Sequence, residues 1–104
     1  MKKAFVVTAF ALLLAACGSA ESDAQKAVRN SLKDPDSAKF GQYTLVNSEH
    51  ACLTVNARNS FGGYTGDQQA TLVKIEKEWM VINIDKFSHE SCVDVMRKIA
   101  EKSK

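Results

Sequence analysis

The chain has 104 residues, with 14 Lys and Arg against 12 Asp and Glu, a formal charge of +2 and 8% aromatic residues. Two of the basic residues are Lys2 and Lys3, ahead of an apolar run, so the chain without that leader is close to neutral and lacks an electrostatic basis for nucleic-acid binding. What remains is long enough for one small domain, whose core is barely able to stabilise itself.

The leader comes first. Met1-Lys2-Lys3, the apolar run from Ala4 to Ala16, and then Cys17-Gly18-Ser19 follow the charge, apolar, small-residue order of an export signal. A membrane-spanning helix needs about 20 apolar residues, and this run stops short of that at Cys17. Leu14-Ala15-Ala16-Cys17 resembles the lipobox of bacterial lipoproteins. The resemblance implies that residues 1–16 are a signal peptide, that Cys17 is acylated on its thiol and then on its new amine, and that residues 17–21 form a lipidated tether to a domain over 22–104. Each buried methylene adds about 0.8 kcal/mol, so several acyl chains make a lasting anchor in a lipid bilayer. Gly18 and Ser19, rather than an aspartate, follow the cysteine, which in a diderm implies the outer membrane, facing the periplasm.

Ser22 and Gln25 have capping-box spacing, and Ala24, Ala27, Val28 and Leu32 recur at helical intervals, predicting a helix over 23–33. Asp34-Pro35 ends it and caps a short turn over 35–38. Extended patterns follow at Tyr43–Asn47 and Ala51–Arg58. In the second, Leu53, Val55 and Ala57 share one face, while Cys52, Thr54, Asn56 and Arg58 share the other. Thr71, Val73 and Ile75 alternate in a third strand, Glu76-Lys77-Glu78 marks a turn, and Trp79–Ile84 is apolar at almost every position, as in a strand buried on both faces. Ser88 is the expected N-cap of a last helix, with Glu90 in its first turn and Arg97, Lys98 and Lys102 toward its end. Cys92, Val95, Met96 and Ile99 are its expected core stripe. The whole is an α+β fold: a small antiparallel sheet of about four strands flanked by N-terminal and C-terminal helices, with one disulfide.

That disulfide is expected between Cys52 and Cys92, because Cys17 is taken by lipid and an exported chain folds in an oxidising space. On the chain-entropy model it stabilises the domain by about 4 kcal/mol. The last helix must then cover the Cys52 face of its strand, leaving Leu53 and Val55 to meet the first helix or the partner strands. The competing arrangement is a zinc site of His50, Cys52, His89 and Cys92, which the oxidising compartment disfavours. With the disulfide formed, the two histidines are expected to be exposed and without a special role.

The candidate binding loop runs between the second and third strands, through Asn56, Arg58, Asn59, Phe61, Gly62, Gly63, Tyr64, Thr65 and Gly66. Three of the chain's 5 glycines fall here, beside two aromatics and side chains able to donate or accept hydrogen bonds. Either Phe61 and Tyr64 project outward as recognition groups, or they fold back and cap the core. The glycines do not make a nucleotide site, since no lysine with an adjacent serine and no helix start follow them. The segments Leu32–Phe40 and Val55–Gly66 resemble those of small uncharacterised bacterial and phage-associated envelope proteins, which implies a shared fold and carries no catalytic residue.

No serine lies in a nucleophile elbow, and a disulfide removes the remaining thiols from nucleophilic catalysis. Asp34 and Asp36 suit cap and first-turn roles better than an acid–base pair. The sequence thus points to a membrane-anchored bacterial envelope lipoprotein, a non-catalytic binding or structural module without a cofactor or metal, whose partners are the bilayer and an envelope protein. The alternatives are a small periplasmic metal-binding or enzymatic domain using His50 and His89, and a phage-type exclusion lipoprotein.

Overall fold

The computed structural model describes residues 20–102. The expected signal peptide, Cys17 and the start of the expected tether therefore lie outside the described residues.

Helix α1 covers 20–30. It is already helical at Ala20 and Glu21, so the end of the expected tether belongs to the helix, and Ser22 lies inside it rather than at its cap. It also ends earlier than the periodicity suggested, at Asn30, because the chain must turn before Pro35. Ala24 and Val28, one turn apart, are its buried face. Pro35–Ser37 form a 3-10 turn. The Asp34 side chain does not cap this turn; the Ser37 hydroxyl closes it by donating to the Asp34 carbonyl (2.7 Å).

Four strands, β1 (Lys39–Asn47), β2 (His50–Asn56), β3 (Gln68–Ile75) and β4 (Glu78–Asp85), form an antiparallel sheet in chain order. Strand β1 starts at Lys39, four residues before the expected start, and its register shifts between Phe40 and Tyr43 and again between Leu45 and Asn47. Gly41 sits in the first irregular stretch, where a Cβ would lie 3.2 Å from the Thr54 side chain. Strands β3 and β4 are joined by a two-residue turn with Glu76 and Lys77 at φ 52° and 71°. Non-glycine residues pay roughly 1–2 kcal/mol for that left-handed geometry, yet it matches the twist of the hairpin.

The two faces of β2 divide the protein as the alternation indicated. Ala51, Leu53 and Val55 lie in one buried cluster with Ala24 and Val28 of α1, Ala70 and Leu72 of β3, and Trp79 of β4. On the opposite face, helix α2 (His89–Lys102) sets Cys92 and Met96 against Cys52, with Val46, Val73, Phe87 and Val93 partly buried around them. Ser88 caps α2: its hydroxyl accepts the Ser91 amide (3.1 Å). Cys52 and Cys92 are joined by a disulfide.

Two expectations about burial fail. The buried line of α2 is Cys92, Met96 and Ala100, whereas Val95 and Ile99 are 48% and 41% exposed. The helix rests over β1, β2 and β3, so its sheet-facing line is narrow and its flank has nothing beneath it. For the same reason β4 is buried on one face only. Trp79 packs against the α1 side, while Met80 and Ile82 are about half exposed.

Candidate functional site

The loop between β2 and β3 is held by hydrogen bonds from its own amide side chains. Asn59 Oδ1 accepts the amides of Phe61 (2.9 Å) and Gly63 (3.3 Å). The Asn59 amide in turn donates to the Gly63 carbonyl (2.9 Å), and the Gly62 amide to the Asn59 carbonyl (3.0 Å), which closes a tight turn around Ser60 and Phe61. Gly62 at φ 84° and Gly66 at φ 90° adopt the left-handed geometry that a side chain disfavours. Asn56 Oδ1 holds the Gly66 amide (3.0 Å), and the Thr65 amide reaches the Ala57 carbonyl (3.2 Å). Arg58 and Tyr64 meet as an isolated antiparallel bridge, so the segment is a miniature hairpin standing on the end of β2.

This hairpin is braced from the side by the 3-10 turn. Ser37 Oγ accepts the Arg58 amide (2.8 Å), the Tyr64 hydroxyl donates to the Ser37 carbonyl (3.1 Å), and the Arg58 guanidinium pairs with Asp34 (3.1 Å). Lys39 Nζ lies 4.6 Å from the centre of the Tyr64 ring. Tyr64 is therefore a brace, still 45% exposed, while Phe61 at the tip is 95% exposed. The two aromatics, expected to share one fate, have opposite ones. The tip residues Asn59, Ser60, Phe61, Gly62 and Gly63 carry no charge.

The histidines form a second polar feature. His50 is buried, with Nδ1 2.8 Å from Asn47 Oδ1. His89 is partly buried at the start of α2, with Nδ1 2.8 Å from Gln69 Oε1 and Nε2 2.8 Å from Thr44 Oγ1. Thr54 Oγ1 donates to the same Gln69 oxygen (2.9 Å), so three strands and the helix meet on one ring. Gln69 Oε1 can only accept, which makes Nδ1 the protonated nitrogen and leaves Nε2 to accept from Thr44. Desolvation pushes the His89 pKa below the ordinary imidazole value. Both histidines are thus at least partly buried and tied to neighbouring side chains by hydrogen bonds, contrary to the expectation that they are exposed. No signal in the sequence linked His89 to Thr44, Thr54 and Gln69, which come from three different strands.

Cys52 and Cys92 are committed to the disulfide, so a zinc site using their thiolates is not assembled. Among the described residues, no three His, Cys, Asp or Glu side chains are grouped to hold a metal ion. None of the described helices is long and apolar enough to cross a membrane. The protein has no match among protein-family models, curated proteins or solved structures.

Proposed function

We propose that this protein is a non-catalytic binding module of the bacterial envelope, tethered to a membrane through acylated Cys17, with the Asn56–Gly66 hairpin as its contact surface. The observation that carries the reading is Phe61, 95% exposed on a loop whose backbone is held by Asn59, Asn56 and Ser37. A large apolar side chain left in water on a flexible loop loses binding energy when the loop is ordered; here that ordering is done before any partner arrives. Hot spots of protein interfaces are commonly aromatic anchors that become buried on binding, surrounded by contacts that contribute little energy but exclude water. Asn59 and Ser60 supply the polar rim, and Arg58, paired with Asp34, fixes the base of the hairpin.

The lipid anchor rests on the resemblance of Leu14-Ala15-Ala16-Cys17 to a lipobox.

The test is a pair of substitutions in the anchored protein. Phe61→Ala is expected to leave the urea midpoint unchanged and to weaken capture of an envelope protein by about 2 kcal/mol or more. Tyr64→Phe, which removes the bond to Ser37, is expected to lower stability by about 1 kcal/mol. A Phe61→Ala variant that captures the same envelope proteins as the parent sinks the assignment of the loop. Mass spectrometry of the mature N-terminus tests the anchor separately, with an unmodified N-terminus other than Cys17 as the refuting result.

A further inference from the structure

Met80 of β4 and Val95 and Ile99 of α2, all partly exposed, flank one trough. The Lys74 amide donates to the Glu49 carbonyl (2.8 Å), so the pairs that alternate with it, Ala51–Leu72 and Leu53–Ala70, are the hydrogen-bonded ones. Cys52 therefore turns its amide and carbonyl toward β1. For L-residues this places β1 to the right of β2, and β3 and β4 to its left, when the sheet is viewed from the α2 side with β2 running upward. Helix α2 runs opposite to β2, from His89 beside Thr54 to Cys92 bonded to Cys52. With Met96 against the sheet, a right-handed helix in that direction carries Val93 on its β1 flank and Val95 and Ile99 on its β4 flank.

On the β4 side the floor of the trough is Val73 and Met80, paired across the ladder, with Met80 50% exposed. Among the described residues no strand pairs with the outer edge of β4, because β4 ends the sheet. The two-residue turn makes Ile75–Glu78 a hydrogen-bonded pair, so Met80 also bonds to β3, while Trp79 and Val81 direct their amides and carbonyls to the open edge. Edge strands are commonly protected by internal lysine, proline or repeated bulges. Strand β1, whose only charge is Lys39 at its start, has two register shifts, against one in the β3–β4 pairing. Strand β4 has no charge between Glu78 and Asp85.

Those two end charges decide what the edge can take. Glu78 and Asp85 both lie on the trough face, since their partners Ile75 and Gln69 share the face of Val73 and Thr71. In the twofold antiparallel register that pairs β4 with a second copy along its full length, Glu78 meets Asp85 and Lys77 meets Lys86 at both ends. Like charges directly opposite are destabilising, so the register that pairs β4 along its full length with a second copy is disfavoured.

We infer that the β4 edge and the trough beside it are a docking site for an extended segment of another protein, added as a fifth antiparallel strand, with an apolar centre over Met80 and a cation at each end facing Glu78 and Asp85. The shift at Thr71/Leu72 makes seven steps along β4 correspond to six along β3. A regular incoming strand would meet the same bulge, so its two cations stand six residues apart and on one face. This site is separate from the Phe61 hairpin and does not depend on its role.

Trp79, the only tryptophan of the chain, lies in β4 and reports on the edge by fluorescence. The experiment titrates the full chain with an end-capped peptide Lys-Thr-Val-Thr-Val-Thr-Lys and with its counterpart carrying glutamate at both ends, following Trp79 emission and backbone amide shifts. The lysine peptide is expected to bind at least tenfold more tightly, since two cross-strand pairs change from attraction to repulsion, and to shift the amides of Trp79 and Val81. Glu78→Lys with Asp85→Lys is expected to reverse the preference, and Met80→Asp, at a half-exposed position, to weaken both peptides. Equal affinity for the two peptides, or shifts centred away from β4, would overturn the inference. So would sedimentation of the parent as a dimer that Met80→Asp dissociates, which would make a second copy the occupant.

Discussion

Opening the disulfide is the perturbation whose size follows most directly from the fold. Cys52 lies in the central strand β2 and Cys92 one turn into α2, 40 residues apart, and both are fully buried. Closing a loop of that length removes about 4 kcal/mol of chain entropy from the unfolded state, against a typical domain stability of 5–15 kcal/mol. Cys52→Ala and Cys92→Ala should each lose about 4 kcal/mol, because either change opens the same loop. The double variant should lose little more than one of them, so the interaction energy is nearly as large as a single effect. Urea melts followed by Trp79 fluorescence give the numbers. The slope should also rise in every variant, since an uncrosslinked unfolded chain exposes more surface. The parent with its disulfide reduced should melt like the double variant. Two single losses that sum to the double would refute the loop-entropy account and mean that each side chain acts through its own packing.

Met96→Ala should cost about 2–5 kcal/mol, as for other fully buried methionines, whereas Val95→Ala at its half-exposed neighbour should stay within about 0.5 kcal/mol; similar losses in both would restore the wider core stripe. The depressed pKa of His89 means that the unfolded state takes up its proton at a higher pH than the folded state. The stability this group contributes is therefore present above the unfolded imidazole pKa of about 6.5 and is lost as the pH falls through the lower folded value. Urea midpoints from pH 8 to pH 5 should show this decline, and His89→Gln should flatten it; an unchanged slope in the variant would assign the decline to other groups.

Strand and helix identities were legible because each rests on local chemistry. The alternation of Leu53 and Val55 against Cys52 and Thr54 needs only the period of a strand, and it also told which face the second helix had to cover once Cys52 and Cys92 were paired. The Ser88 cap and the Asn56–Gly66 loop carry their signals in a few adjacent residues. Positions of elements relative to one another were not legible. Trp79–Ile84 is apolar enough for a strand buried on both sides, and only the order of the sheet, with β4 last and α2 resting over β1–β3, leaves Met80 and Ile82 in water. The role of His89 was hidden likewise, since Thr44, Thr54 and Gln69 come within reach of it only when three strands align. In the loop, composition announced a special backbone but could not separate Phe61 from Tyr64. That separation was made by Ser37, far away in the chain, whose carbonyl accepts the Tyr64 hydroxyl and leaves Phe61 alone at the tip. Backbone preference and hydrophobic period act within a few residues and are written in the sequence; burial depends on which surfaces the chain brings together, and that was decided by the tertiary structure.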